Sequence, residues 1–133
     1  SLETYDVLTT MELDLKRCGF ATLPSAISKF LVLQKLDVSH NLLSTLPPLP
    51  SSVQTLFALG NPFETIPPSV AELPRLRMLS FKSCRLRDLG GAALSSSVVW
   101  LILTDNKLTS LPDSLGSPRK SLRVTRPATR GRR

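Results

Sequence analysis

Aromatic residues make up only 5% of this 133-residue chain: one Trp, one Tyr and five Phe. Any core must therefore be aliphatic, and the 41% of apolar residues suffices for one in a single domain. His40 is the one histidine, so no paired imidazole site and no Ser-His-Asp set can be assembled. No apolar run approaches the roughly 18 residues of a membrane span, which leaves out a transmembrane helix. The opening SLETYDVLTT carries Glu3 and Asp6 and lacks a basic region, so no signal peptide is visible. The first residue is Ser rather than Met, and a reading as a fragment whose missing start held a targeting signal stays open. Six glycines and eleven prolines punctuate the chain without collagen-like or low-complexity bias.

Acids are absent from Ser117 to Arg133, where seven cations lie: Arg119, Lys120, Arg123, Arg126, Arg130, Arg132 and Arg133. The preceding residues hold ten cations and ten acids, so the net charge of +7 belongs to the end of the chain. Such a run is expected to be a solvated, disordered tail over 119–133. Nucleic-acid or anionic-surface binding by residues 117–133 is the alternative, weakened by the lack of an aromatic to stack on a base.

What the chain does contain is a repeat. Five segments share a template with apolar residues at slots 1, 4, 6, 11 and 14 and Asn or Cys at slot 9. They start at Thr10, Leu33, Val53, Leu76 and Val98, with offsets of 23, 20, 23 and 22 residues. Slot 9 holds Cys18, Asn41, Asn61, Cys84 and Asn106. Slot 15 is Pro24, Pro47, Pro67 and Pro112, with Gly90 in the fourth copy.

The strings LQKLDVSHNLLSTLP and VVWLILTDNKLTSLP resemble leucine-rich repeats of the form L-x-x-L-x-L-x-x-N-x-L-x-x-L-P. The Pro after slot 14 is similar to intracellular repeats linked to Ras-type signalling and to bacterial ones. The short second copy, ending LPPLPSS, resembles the compact repeats of bacterial effectors. LSFKS and WLILTDN resemble the repeat region of proteins with a kinase domain elsewhere in the chain, although no Gly-rich loop, HRD or DFG is present here. The resemblance implies an α/β solenoid, a right-handed coil of about five repeats with a parallel concave sheet. Short helical, 3₁₀ or extended segments would form its convex side. The repeats would span 10–118 behind a partial cap at 1–9 drawn from Leu2, Tyr5, Val7 and Leu8.

The alternation around slots 4 and 6 has the period of a strand with one buried face, and a coil can bury that face only against its neighbours. Slot 9 falls where the strand bends and backbone groups lose partners. An inward Asn offers them a donor and an acceptor. Cys18 and Cys84 stand three coils, on the order of 14 Å, apart at about 4.8 Å per strand. A disulfide needs Cα atoms within about 7 Å, so two free, buried thiols are expected. Two reduced thiols favour a reducing, cytoplasmic setting.

SAISKF and PSVAELP have room for one helical or 3₁₀ turn. Pro47, Pro48 and Pro50 leave none, and GGAALSSS reads as a loose return. A sixth copy would start near Ser121, where Leu122 and Val124 alternate like a strand but Arg126 breaks the pattern. LRV is then either a makeshift edge strand or the sign that a further repeat is missing.

Catalytic constellations are lacking, and Glu12, Asp14 and Asp37 read as a solvated charge face beside Lys16, Arg17 and Lys35. Neither a metal nor a cofactor site is expected, because His40 lies in a different copy from either cysteine. The expected function is therefore a non-enzymatic module that binds a protein partner. Side chains at slots 2, 3, 5, 7 and 8 should face outward. The binding face is read as Phe57, Met78, Trp100 and Ile102, rimmed by Arg77 and Lys82, with Lys35 and Asp37 toward the charged end. Cover of Trp100 and Ile102 by a further repeat, the tail or another domain is the alternative. A regulatory segment of a larger signalling protein, such as a kinase, is the second functional reading.

Overall fold

Each template copy contributes one three-residue strand at slots 3 to 5. In the computed structural model, which describes residues 2–90, 94–109 and 123–125, these are β1 (Glu12–Asp14), β2 (Lys35–Asp37), β3 (Thr55–Phe57), β4 (Met78–Ser80) and β5 (Trp100–Ile102). A sixth strand, β6 (Arg123–Thr125), follows them. All six join one sheet in sequence order, each parallel to the next. The architecture is thus a solenoid, one strand per turn. The sequence reading left two options for LRV, and Arg123–Thr125 takes the edge-strand one, inside the segment read as a tail. Leu111, Pro112 and Arg126, and the rest of the segment expected to be a basic tail, lie outside the described residues.

Register places slot 4 of every coil in one interior column: Leu13, Leu36, Leu56, Leu79, Leu101, then Val124. The five leucines are at most 2% exposed, and Val124 packs on the core from a half-buried position. The three largest core side chains are Phe30, Phe63 and Phe81, and the rings of Phe63 and Phe81 meet edge to face at 5.1 Å between centroids. The rest of the core is aliphatic but for Cys84, as the scarcity of aromatics requires.

The return segments follow their composition. Ser25–Lys29 makes a 3₁₀ turn that buries Ile27, and Pro68–Ala71 makes a single helical turn, α1, with Pro68 in its first turn. No helix separates β2 from β3, where the three prolines fall. Of the GGAALSSS return, residues 91–93 lie outside the described ones. Gly90 has φ +82°, whereas Pro24 and Pro67, in the same slot of other coils, have φ −61° and −59°. The fourth coil therefore leaves its slot 14 along a different path.

Slot 8 turns every coil the same way. Arg17, His40, Gly60, Ser83 and Asp105 occupy it with φ of 56°, 58°, 69°, 57° and 59°. This is the left-handed region, free for Gly and costing other residues on the order of 1–2 kcal/mol. A Cβ added at Gly60 would fall on the imidazole of His40, so the turns lie close upon one another.

Beyond the turn, the slot 9 side chains tie coil to coil. The Oδ1 of Asn41 accepts from the N–H groups of Cys18 and Phe20, both at 3.0 Å. Its Nδ2 donates to the carbonyls of Leu15 and Val38 at 3.0 and 2.9 Å. Asn61 repeats this one coil on, accepting from Asn41 and Leu43 and donating to Val38, Ala58 and Leu59. Asn106 accepts from Leu86 and donates to Phe81, Leu103 and Thr104.

Both cysteines are free, but only Cys84 is buried; Cys18, expected inside, is exposed. The reason is its place in the stack. Cys84 Sγ donates back to the Ala58 carbonyl of the preceding coil at 3.1 Å, while Cys18 sits in the first coil and reaches only its own Lys16 carbonyl at 3.4 Å. Burial pushes the Cys84 thiol above the usual range, with N–H groups of Asn61, Gly60 and Phe63 pulling the other way. Less thiolate and less access both slow alkylation. Iodoacetamide at neutral pH should thus modify Cys18 well before Cys84. Peptide mass mapping over time checks this, and equal rates would contradict the placement.

At the start of the chain, Leu2 and Val7 pack on the core, while Tyr5 and Leu8 remain exposed. Two side chains expected to face outward do not. Ser39 at slot 7 and Ser80 at slot 5 are buried, at 3% and 2% exposure. Their hydroxyls accept backbone N–H groups, Ser39 from Leu59 at 3.1 Å and Ser80 from Lys82 at 3.3 Å. A small hydroxyl satisfying the backbone lies flat against it rather than projecting into solvent.

Candidate functional site

Slots 3 and 5 lie on the sheet face opposite the leucine column, with Ser80 covered there. Parallel pairing stacks slot 3 as Glu12, Lys35, Thr55, Met78, Trp100 and Arg123. Slot 5 stacks as Asp14, Asp37, Phe57, Ser80, Ile102 and Thr125. Neighbours in a row stand about 4.8 Å apart. The apolar members thus gather over β3 to β5, and the charged ones over β1 and β2.

Phe57, Met78, Trp100 and Ile102 are half-buried, each flanked by the strands on either side. Two of the rings carry a cation. Lys35 Nζ stands 5.4 Å from the Phe57 centroid, and the Arg123 guanidinium carbon 4.8 Å from that of Trp100. Trp100 Nε1 also donates to Thr125 Oγ1 at 2.9 Å. Strand β6 thus orients the Trp ring from one side, with Met78 beside it on the other. Arg77 and Lys82, just before and after β4, are exposed.

The charged end is organised differently. Lys16 Nζ lies 2.9 Å from Asp14 and 3.7 Å from Asp37. Its hydrogen bonds, side chain first and then backbone N–H, hold the Asp14 carboxyl below the usual range, and the same pairing raises Lys16. Asp37 is largely covered, and its Oδ1 accepts from the Ser39 N–H at 3.0 Å. Asp14 does the same for Lys16 N–H, also at 3.0 Å. These carboxylates cap the backbone two residues on, which gives both a structural task. Among the described residues no group of three or more metal-ligating side chains comes together.

The largest exposed apolar side chains lie elsewhere: Leu8, Leu31, Leu42, Met11, Tyr5 and Val32. Leu8 and Leu31 share a template place two residues before slot 1, where later coils have Ser51, Pro74 and Ser96. Hydrogen bonds from Leu31 N to Val7 O and from Gln34 N to Met11 O bring this rim of coils 1 and 2 together. The repeat template does not include these positions, so its slots alone do not mark the rim. Leucines outside those slots were the available signal.

Residues 32–56 match the sequence profile of the Leucine Rich Repeat family. No curated protein matches. Among solved structures 31 chains match. One is the leucine-rich-repeat protein LIC12759 of Leptospira interrogans, with a TM-score of 0.60 and 25% identity, over 90% of this chain and 37% of that one. Another is YopM from Yersinia enterocolitica, with a TM-score of 0.45 and 23% identity, over 77% of this chain and 31% of that one. The chain spans about a third of the length of these solved proteins. The column of leucines, the asparagine ladder, the profile match over one copy and the solved neighbour together define a leucine-rich-repeat fold.

Proposed function

We propose that the protein is a non-enzymatic interaction module that binds a protein partner on its open sheet face, over β3 to β5. The observation that carries this reading is the Phe57, Met78, Trp100, Ile102 group on a rigid parallel sheet. Its largest side chain is held in one orientation by Arg123 and Thr125. A Trp whose rotamer is already fixed loses little freedom on binding, and Trp is enriched among interface anchors. The leucine-rich-repeat fold commonly serves such binding, and two free thiols suit a reducing, cytoplasmic setting.

The test compares baits. The intact chain, Trp100→Ala and Phe57→Ala, each shown folded by circular dichroism, are used to capture partners. Those lost with both variants are then titrated as purified proteins. Trp100→Ala is expected to cost about 2 kcal/mol or more of affinity. Partners that titrate equally against all three baits would move the binding surface elsewhere.

A further inference from the structure

We infer that the partner segment seated on β3 to β6 is acidic, with apolar anchors set among Asp and Glu residues. This rests on the open-face reading above and adds the chemistry of what binds there. Three cations stand around the apolar group: Arg77 and Lys82 to either side of β4, and Arg123 on β6. Arg77 and Lys82 are five residues apart along an extended chain, on the order of 16 Å, and so bracket the apolar rows. Lys35, against Phe57, adds a fourth from β2.

Acids are nearly lacking on this part of the face. Among the described residues from Gln54 to Gly60, Arg77 to Ser83, Val99 to Asp105 and 123 to 125, the one carboxylate is Asp105, and it accepts the Ser83 hydroxyl at 2.8 Å. The other end of the sheet is unlike this: Asp14 and Asp37 are held by Lys16 within the same face. Asp37, beside Phe57 in register, is taken up by Lys16 and the Ser39 N–H, so the charge left uncompensated around the apolar side chains is positive. Arg123 and Lys35 lie over aromatic rings while keeping their charge, so a carboxylate can meet the cation as an apolar side chain meets the ring edge. A basic segment would face like charges, which costs affinity and slows encounter. A neutral one would leave three cations partly desolvated without partners.

A random-peptide display library, selected against the intact chain at physiological salt, tests this. Selected peptides are expected to be enriched in Asp and Glu around Leu, Phe or Trp. They should lose about tenfold in affinity on Arg77→Glu with Lys82→Glu, two exposed positions where folding is not at stake. Trp100→Ala should weaken them as well. The basic end of the chain would also attract acids, so a variant with Arg130, Arg132 and Arg133 changed to Gln is the control, and it should retain binding. Peptides that bind through Trp100 but are neutral or basic overturn the acidic assignment and leave the open-face reading standing. Acidic peptides indifferent to the Arg77 and Lys82 changes but lost with the tail variant overturn it too. A selection yielding no peptide sensitive to Trp100→Ala counts against the open-face reading itself.

Discussion

Replacing Asn61 by Leu is expected to destabilise the protein by about 2–4 kcal/mol, although it enlarges the apolar core. Asn61 is 2% exposed. Its Oδ1 is the acceptor for the N–H groups of Asn41 and Leu43, at 3.0 and 3.1 Å. Leucine leaves both bare in the interior, and each unpaired group costs about 1–3 kcal/mol. The carbonyls on its Nδ2 side fare better, because Val38 keeps the bond from Asn41. Extra burial by the new side chain recovers part of the loss, about 2 kcal/mol at most, and only if the site can accommodate its shape. Equilibrium urea denaturation of Asn61→Leu and of Asn61→Asp measures the effect. A midpoint for Asn61→Leu equal to the parent's would remove the ladder from any account of stability.

Gly90→Pro is expected to destabilise by about 3 kcal/mol or more, against the vote of the other copies, four of which have proline in this slot. Proline holds φ near −65°, and Gly90 is at +82°. The substitution also removes an N–H that donates to Asp88 Oδ1 at 2.8 Å. A side chain here would press on the Ile66 carbonyl oxygen, 3.2 Å from an added Cβ. The fourth coil would have to adopt the path of its neighbours, and its return sequence differs from theirs. Thermal unfolding gives the sign directly: a raised Tm for Gly90→Pro would show that the coil moves to the proline path at no cost.

Much of this architecture was legible in the residues. Slots 4 and 6 alternate with outward neighbours, and that alternation placed β1 to β5, since a one-residue slip would turn every leucine outward. The left-handed turn at slot 8 was not legible. Arg, His, Gly, Ser and Asp share no property that marks a positive φ, and only Gly60 announces one. Cys18 was read as buried because a template treats all copies alike, whereas burial at slot 9 depends on having a coil in front. The apolar group was visible as residue types at slots 3 and 5. Its fixed geometry was not, because Arg123 and Thr125 come from a stretch whose charge spoke for a tail. Asp37, read as part of the binding face, caps the backbone instead of projecting from it.

The hinge residues at slot 8 bear on how such an array changes size. Four unlike side chains and one glycine accept the same backbone geometry there, so the bend belongs to the chain's path more than to one residue type. A coil copied whole by duplication within the gene brings its own hinge, its own leucines and its own slot 9 Asn or Cys. Lengthening the array is thus a single genetic step, and each added unit widens the sheet by one row on which new specificity can be written.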